Sequence, residues 1–99
     1  YLIVVFSKKF DINDDGTNSK NYYVSESVGI ASGLLLAALH NAGLVTLTHT
    51  PSPMAFLSDI LNRPLSDKPY LIIPVGFPSE NAEVPNIKKK TFKEICTIL

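Results

Sequence analysis

Residues 70–78 read Tyr-Leu-Ile-Ile-Pro-Val-Gly-Phe-Pro, and this stretch decides the fold of the 99-residue chain. Aromatic and β-branched residues fill its first half, which is typical of a strand that is buried on both faces. Pro74 has no backbone N–H to donate to a neighbouring strand. The pattern therefore predicts that this strand either lies at a sheet edge or loses its pairing near its end.

A second strand is predicted at residues 1–6, which read Tyr-Leu-Ile-Val-Val-Phe. Its unbroken apolar character indicates a central position in the sheet. The first residue is Tyr1 and no leader precedes it, so we expect a piece of a longer protein, in which any membrane anchor would lie upstream. Residues 11–20 are rich in Asp, Asn and Gly and predict an exposed connection. This loop lacks the glutamate that a calcium loop needs, since position 22 is Tyr22, and we expect no metal site.

A long helix is predicted through residues 29–43, Gly-Ile-Ala-Ser-Gly-Leu-Leu-Leu-Ala-Ala-Leu-His-Asn-Ala-Gly. Ser25 with Glu26, or Ser27, is a candidate N-terminal cap, and Gly43 can adopt the left-handed conformation that ends a helix. The segment is apolar nearly all round. Because a helix without a polar face must be covered on every side, we expect a surface outside this chain to cover part of it.

The other predicted elements are short. They are a strand at residues 44–48, a helix at 54–61 that stops at Asn-Arg-Pro (62–64), an irregular arm at 77–86 and an amphipathic helical tail at 92–99. The tail places Cys96 beside Ile95 and Leu99, which predicts a small buried side chain rather than a reactive thiol. His40 is predicted to be a core or interface histidine.

The charge balance excludes several functions. The chain has 9 Lys+Arg and 9 Asp+Glu, so it lacks the excess of cations with which proteins bind nucleic acid or anionic membrane. Its longest apolar stretch, Val28–Leu39, is shorter than the roughly 18 residues that span a bilayer. Cys96 is the only cysteine, so neither an internal disulfide nor a paired-thiolate metal site can form. Any redox chemistry must come from a cofactor.

The residues alone offer one candidate site, the hydroxyl-rich stretch Thr-Leu-Thr-His-Thr-Pro at 46–51. It leads from a predicted strand into a proline-rich loop, where binding sites are common. The alternative is that threonine simply favours strands and turns.

Four motifs together resemble a known family. Residues 70–78 are similar to the Ile-Pro-Val-Gly-Tyr-Pro segment of the FMN-dependent nitroreductase superfamily. Three further motifs resemble its iodotyrosine deiodinase branch: Gly-Leu-Val-Thr-Leu-Thr-His-Thr-Pro at 43–51, Asn-Arg-Pro at 62–64 and Ala-Glu-Val-Pro-Asn-Ile-Lys-Lys-Lys at 82–90.

The resemblance implies an α+β fold, a nitroreductase-like mixed sheet flanked by helices. Residues 1–99 would then be the C-terminal portion of a single FMN-binding domain. This portion is incomplete and needs the rest of the domain and a partner subunit in a homodimer, with FMN at the subunit interface. Such a dimer would also cover the apolar helix.

Site residues follow from the same resemblance. Thr48, His49 and Thr50 match a flavin-contacting Thr-Thr-Thr segment, in which the hydroxyl at the position of Thr50 meets flavin N5. Lys89 matches an arginine that contacts the FMN phosphate. His49 departs from the family pattern, and this matters only if the side chain is used. Lys89 keeps the positive charge but lacks the two-pronged hydrogen bonding of arginine.

The implied activity is FMN-dependent reductive dehalogenation of iodotyrosine-like halotyrosines, with NADPH as the ultimate reductant. No nucleic acid is expected as a partner, and no membrane contact is expected from this segment. Two alternatives stay open. One is a generic FMN nitroreductase or quinone reductase, which differs in a substrate lid outside this sequence. The other is that the isolated chain is a dimerisation module without activity.

Overall fold

A computed structural model describes all 99 residues. In chain order, the elements are β1 (Leu2–Lys8), β2 (Phe10–Ile12), β3 (Asn18–Lys20), α1 (Val24–Asn41), β4 (Val45–Thr46), α2 (Phe56–Ile60), β5 (Asp67–Gly76) and α3 (Phe92–Ile95). Helix α1 lies against β1 and β4, and α2 lies against β5. The helices therefore pack against an antiparallel sheet, as in an α+β fold.

The main sheet has three antiparallel strands in the order β1-β5-β4. Within this chain β5 is therefore central and β1 is an edge, which reverses the positions predicted for the two strands. Both sequences are apolar enough for a central place, so local pattern could not rank them. Strand β5 also begins earlier than predicted, at Asp67, and includes Pro69, which lies opposite Phe6 where a shift of register interrupts the pairing with β1.

The predicted break at Pro74 is confirmed on the β4 side of β5. Leu47 donates its backbone N–H to the carbonyl of Pro74 at 3.2 Å, but Pro74 has no N–H to return. Regular pairing of β4 accordingly ends at Thr46, and a single isolated bridge between His49 and Ile72 follows. The proline thus shortens a strand that would otherwise continue to residue 49.

Helix α1 ends as predicted but begins differently. Gly43 has φ 80°, and the N–H of Leu44 bonds the carbonyl of Leu39 at 3.0 Å, which is the Schellman termination. At the other end, the residue before the helix is Tyr23, with φ 52° and no side-chain cap. The predicted serine caps are wrong, because Ser25 and Ser27 already lie inside the first turns.

The exposed connection predicted at residues 11–20 is instead a β-hairpin formed by β2 and β3. Its turn is closed by Asp15, whose Oδ1 accepts hydrogen bonds from the Thr17 N–H at 2.9 Å and hydroxyl at 2.6 Å. Short polar side chains that favour turns therefore organise a hairpin here, and its residues are mostly exposed, as expected.

The C-terminal tail is shorter and more exposed than predicted. Helix α3 is one turn, capped by the side chains of Thr91 and Glu94, and no residue in it is buried. Cys96 is exposed, which corrects the prediction of a buried side chain. His40 is also exposed and does not belong to a core within this chain. Helical periodicity shows which side chains share a face, but it does not supply the surface that would cover them.

The core of the chain is small. Only eight of the 99 residues are buried, and Ile73 is the only large side chain that is fully enclosed. The chain exposes 8449 Å², whereas a compact protein of 10.8 kDa exposes about 5,500 Å². On α1, Ile30 and Leu34 are each 68% exposed. This agrees with the expectation that one side of α1 needs a cover beyond the chain.

No helix in the structure has both the length and the hydrophobicity needed to span a bilayer.

Candidate functional site

The segment from Thr48 to Thr50 runs beside the central strand β5 and is held there through its middle residue. His49 donates its backbone N–H to Ile72 O at 2.9 Å and accepts from Ile72 N at 2.8 Å. Both backbone groups of His49 are therefore used by the sheet. These two bonds do not depend on which side chain position 49 carries.

The two threonines have the opposite arrangement. In an antiparallel pair, backbone groups point alternately toward and away from the partner strand. Since residues 47 and 49 bond to β5, the backbone groups of Thr48 point away from it. Pro51 restricts Thr50 to extended conformations, which continues the alternation. Thr48 and Thr50 are exposed, and neither forms a hydrogen bond within the chain. Two hydroxyls and two backbone N–H groups are thus free to bind a ligand.

Side chains in this segment also divide between the two faces of the sheet. Residues directly opposite each other share a face, so His49 lies on the face of Ile72. Tyr70 lies at the register shift of β5 and has no paired residue in β1, and its hydroxyl donates to the Ser25 carbonyl of α1 at 3.4 Å. By alternation, Thr48 and Thr50 lie on the other face, with the buried side chains of β5. The His49 side chain is consequently on the face opposite the two hydroxyls.

Lys89 is not brought to the threonines by this chain. It lies in residues 77–91, which form no regular helix or strand, and its side chain is exposed. It makes no hydrogen bond or ion pair with any residue of the chain. Three of the four predicted site residues are consecutive in sequence and lie beside β5, whereas Lys89 lies on an irregular arm and is not bonded to them.

Sequence reasoning missed a polar cluster where α2 leads into β5. Arg63 donates to Oδ2 of Asp67 from Nε at 3.1 Å and also from Nη2, while the Ser66 hydroxyl bonds Oδ1 at 3.1 Å. Asp67 is only 8% exposed, and the hydrogen bonds from Arg63 hold the pKa of its carboxyl below the ordinary value. The Arg63 guanidinium lies 5.6 Å from the centre of the Phe6 ring.

The available signal for this cluster was the spacing of an arginine and an aspartate four residues apart around Pro64. Residues 62–64 are predicted to end a helix and to match a family motif, and neither prediction points to an ion pair; Asn62 does end α2, with φ 48°. That spacing is also common in solvated loops, so sequence alone could not show that Asp67 is buried.

Comparison with known proteins bears directly on these features. No family model matches the chain. The iodotyrosine deiodinase of Haliscomenobacter hydrossis is 63% identical over 90 residues, which cover 91% of this chain and 40% of that protein. This chain therefore resembles the iodotyrosine deiodinases over nine-tenths of its own length. The family member of Nematostella vectensis is 46% identical over 99% of this chain and 38% of its own length. The human member is 43% identical over 95% of this chain and 33% of its own length.

Solved structures support the same family and fold. A crystal structure of oxidised iodotyrosine deiodinase bound to FMN and 3-iodo-L-tyrosine matches with a TM-score of 0.69 and 32% identity. The match covers 92% of this chain and 45% of that one. A second structure, of an oxidoreductase containing FMN, matches with a TM-score of 0.72 at 19% identity, which supports the fold alone. The family resemblance and the α+β fold class predicted from sequence are confirmed. The chain spans 33–40% of the length of the three deiodinases compared by sequence.

Proposed function

We propose that the protein containing this chain is an FMN-dependent reductive dehalogenase of iodotyrosine-like halotyrosines. Residues 1–99 would form the C-terminal portion of its single FMN-binding domain. In the reaction, an aromatic carbon–iodine bond is replaced by a carbon–hydrogen bond, which consumes two electrons and one proton and releases iodide. NADPH is the ultimate source of the electrons. The observation that carries the proposal is the 63% identity to a deiodinase over 91% of the chain.

The free groups of the Thr48–Thr50 segment suit a flavin. FMN, when bound, supplies the reducing electrons, and its ring carries both hydrogen-bond donors and acceptors along one edge. We assign the Thr50 hydroxyl to flavin N5, and Thr48 to the same ligand because the two side chains share a face. A net hydrogen bond of about 1 kcal/mol corresponds to roughly 40 mV in a one-electron couple. Thr50 can therefore influence whether electrons are delivered singly or in pairs.

His49 has a positioning role in this proposal. Its backbone bonds to Ile72 hold the segment against β5 and so fix the direction of the residues on either side. Its imidazole lies on the face of Ile72, opposite the two threonine side chains, and has no assigned contact with the ring. We therefore expect position 49 to contribute to the site through its main chain and not through its side chain.

Lys89 is proposed to bind the FMN phosphate as a point charge. Because no hydrogen bond or ion pair within this chain holds Lys89 beside the threonines, the site would be completed by residues outside it. A homodimer with FMN at the subunit interface meets this need. The exposed apolar side chains of α1, Ile30 and Leu34, favour the same assembly, since burial of such a patch stabilises association.

Iodide release tests the proposed activity. The full-length protein would be loaded with FMN, reduced anaerobically with dithionite and mixed with 3-iodotyrosine, and iodide and tyrosine would be measured. We expect one iodide and one tyrosine for each fully reduced flavin. A protein that reduces a nitroaromatic compound but releases no iodide would be a generic nitroreductase, and the proposal would be wrong. Steady turnover with NADPH and a supplied flavin reductase would identify the source of electrons.

A further inference from the structure

A cavity of about 660 Å³ opens between the start of β5, helix α2 and the loop that follows Thr50. Cationic side chains line it from three separate segments: Lys9 follows β1, Arg63 follows α2 and Lys68 belongs to β5. Its non-polar lining comes from prolines, Met54, Ala55 and Leu65. Residues distant in sequence thus place positive charge beside apolar surface in one concave space.

The charges around this cavity do not cancel. Asp67 is occupied by Arg63 and Ser66, so its negative charge is already paired. Lys9 and Lys68 have no carboxylate within ion-pair distance, and Asp59 is the one other acidic residue in the lining. Three cations therefore face two carboxylates. The buried carboxylate of Asp67 also fixes the orientation of the Arg63 guanidinium, which lowers the entropy cost of using its remaining N–H groups.

We propose that this cavity binds a small soluble organic phosphate. The phosphate would lie among Lys9, Arg63 and Lys68, which offer ammonium groups and a preoriented guanidinium, the groups that bind phosphate in proteins. The volume falls within the range of small-molecule sites and leaves room for a non-polar portion against Met54 and the prolines. None of the assigned flavin contacts, Thr48, Thr50 and Lys89, lines this cavity, and the proposal does not depend on the proposed activity.

Phenyl phosphate is a suitable probe, because it joins a phosphate to a compact ring. Its binding to the full-length protein, already loaded with FMN, would be measured by titration calorimetry, with inorganic phosphate for comparison. We expect phenyl phosphate to bind more tightly than inorganic phosphate. Lys9→Gln and Lys68→Gln should each weaken binding about two- to fivefold, the range for exposed charge pairs. Asp59→Asn should strengthen binding by a similar factor, because it removes the opposing charge.

Lys93→Gln is the matched control, since Lys93 is an exposed lysine of α3 that does not line the cavity. It should leave the affinity unchanged, and FMN content should be equal in all four variants. The proposal is overturned if the FMN-loaded protein does not bind phenyl phosphate. It is equally overturned if binding occurs only without FMN, because the phosphate would then occupy the flavin site. An equal loss in Lys93→Gln would show a diffuse charge effect and no cavity site.

Discussion

His49 and Thr50 are neighbours in sequence, yet the sheet gives them different roles. The main chain of His49 is bonded to Ile72 on both sides, whereas the groups of Thr50 are free. A change of side chain at position 49 therefore leaves the anchoring bonds intact. A change at position 50 removes a group that is available to a ligand. This separation follows from the alternation of an extended chain and needs no special conformation.

The contact between Tyr70 and α1 yields a prediction about Gly29. A Cβ added at Gly29 would lie 3.3 Å from the Tyr70 hydroxyl, closer than ordinary contact. Alanine is the better helix former by about 0.8–1 kcal/mol, but in Gly29→Ala the crowding should cancel most of this gain. In the Tyr70→Phe background, the hydroxyl is gone and the same change should stabilise the protein by about 0.5–1 kcal/mol.

Urea denaturation of the full-length variants, arranged as a double-mutant cycle, measures this difference. Equal effects of Gly29→Ala in both backgrounds would show that the hydroxyl does not limit the space at position 29.

The buried carboxylate of Asp67 predicts how stability depends on pH. Its pKa is lowered in the folded state, chiefly by hydrogen bonds from Arg63, so the carboxylate contributes stability above the pKa of an unfolded aspartate, about 4. That contribution is lost as pH falls further. Asp67→Asn should cost about 1–2 kcal/mol at pH 7, with the partial exposure of Arg63 reducing the loss, and should flatten the decline in stability below pH 4.

Urea denaturation from pH 7 to pH 3 tests this prediction, and Asp14→Asn, at the exposed hairpin turn, is the control. If the free energy of unfolding of Asp67→Asn falls as steeply below pH 4 as that of the parent, the Arg63–Asp67 pair is not the cause of the decline.

Elements whose ends are set by local chemistry could be predicted from the sequence. The left-handed Gly43 ends α1, and Pro74 interrupts pairing beside β4, because each effect depends on a single residue. The order of β1 and β5 could not be predicted, since it depends on pairing between residues far apart in sequence. For the candidate site, the sequence itself shows that Thr48 and Thr50 lie two residues apart. The division of faces around His49 required the bridge to Ile72.

The exposed side of α1, which includes Ile30, Gly33 and Leu34, leads to a prediction about dimer formation. A Cβ at Gly33 would meet no atom of the chain within 4 Å, so a larger residue there causes no crowding inside the chain. Gly33→Leu should therefore preserve or raise helix stability, since leucine is the better helix former. If α1 packs against a second subunit, the bulk of leucine should weaken the dimer.

Sedimentation of the full-length protein measures the dimer, and Gly33→Ala is the smaller control variant. If Gly33→Leu leaves the dissociation constant of the dimer unchanged, α1 does not lie at the interface.

As a whole, the molecule is extended and leaves much apolar surface uncovered. Its radius of gyration is 17.6 Å, compared with about 13 Å for a compact domain of this length. The chain also spans less than half the length of its deiodinase relatives. Both facts agree with a portion of a larger domain. The flavin site that we propose then requires groups from outside these residues.

Removal of the Lys89 charge should lower the affinity for FMN without changing the chemistry of the bound flavin. In the full-length protein, Lys89→Ala should weaken FMN binding by about 1.5–3 kcal/mol, the range for a hydrogen bond to a charged group. Fluorescence titration with FMN measures this change, and Lys88→Ala and Lys90→Ala serve as neighbouring controls. If all three variants lose affinity equally, the arm acts through its general charge and Lys89 has no individual contact.

The assignment of Thr50 to flavin N5 is tested by the balance between two reactions of the same full-length protein. Iodide release and two-electron nitroaromatic reduction would be measured for the parent, Thr50→Ala and the control Thr46→Ala, each with full FMN content. We predict that Thr50→Ala keeps its FMN, slows iodide release by about fivefold, the effect of one lost hydrogen bond of about 1 kcal/mol, and changes nitro reduction much less. Thr46→Ala should resemble the parent. Equal slowing of both reactions in Thr50→Ala, or no slowing of iodide release, would contradict the placement of Thr50 at the flavin.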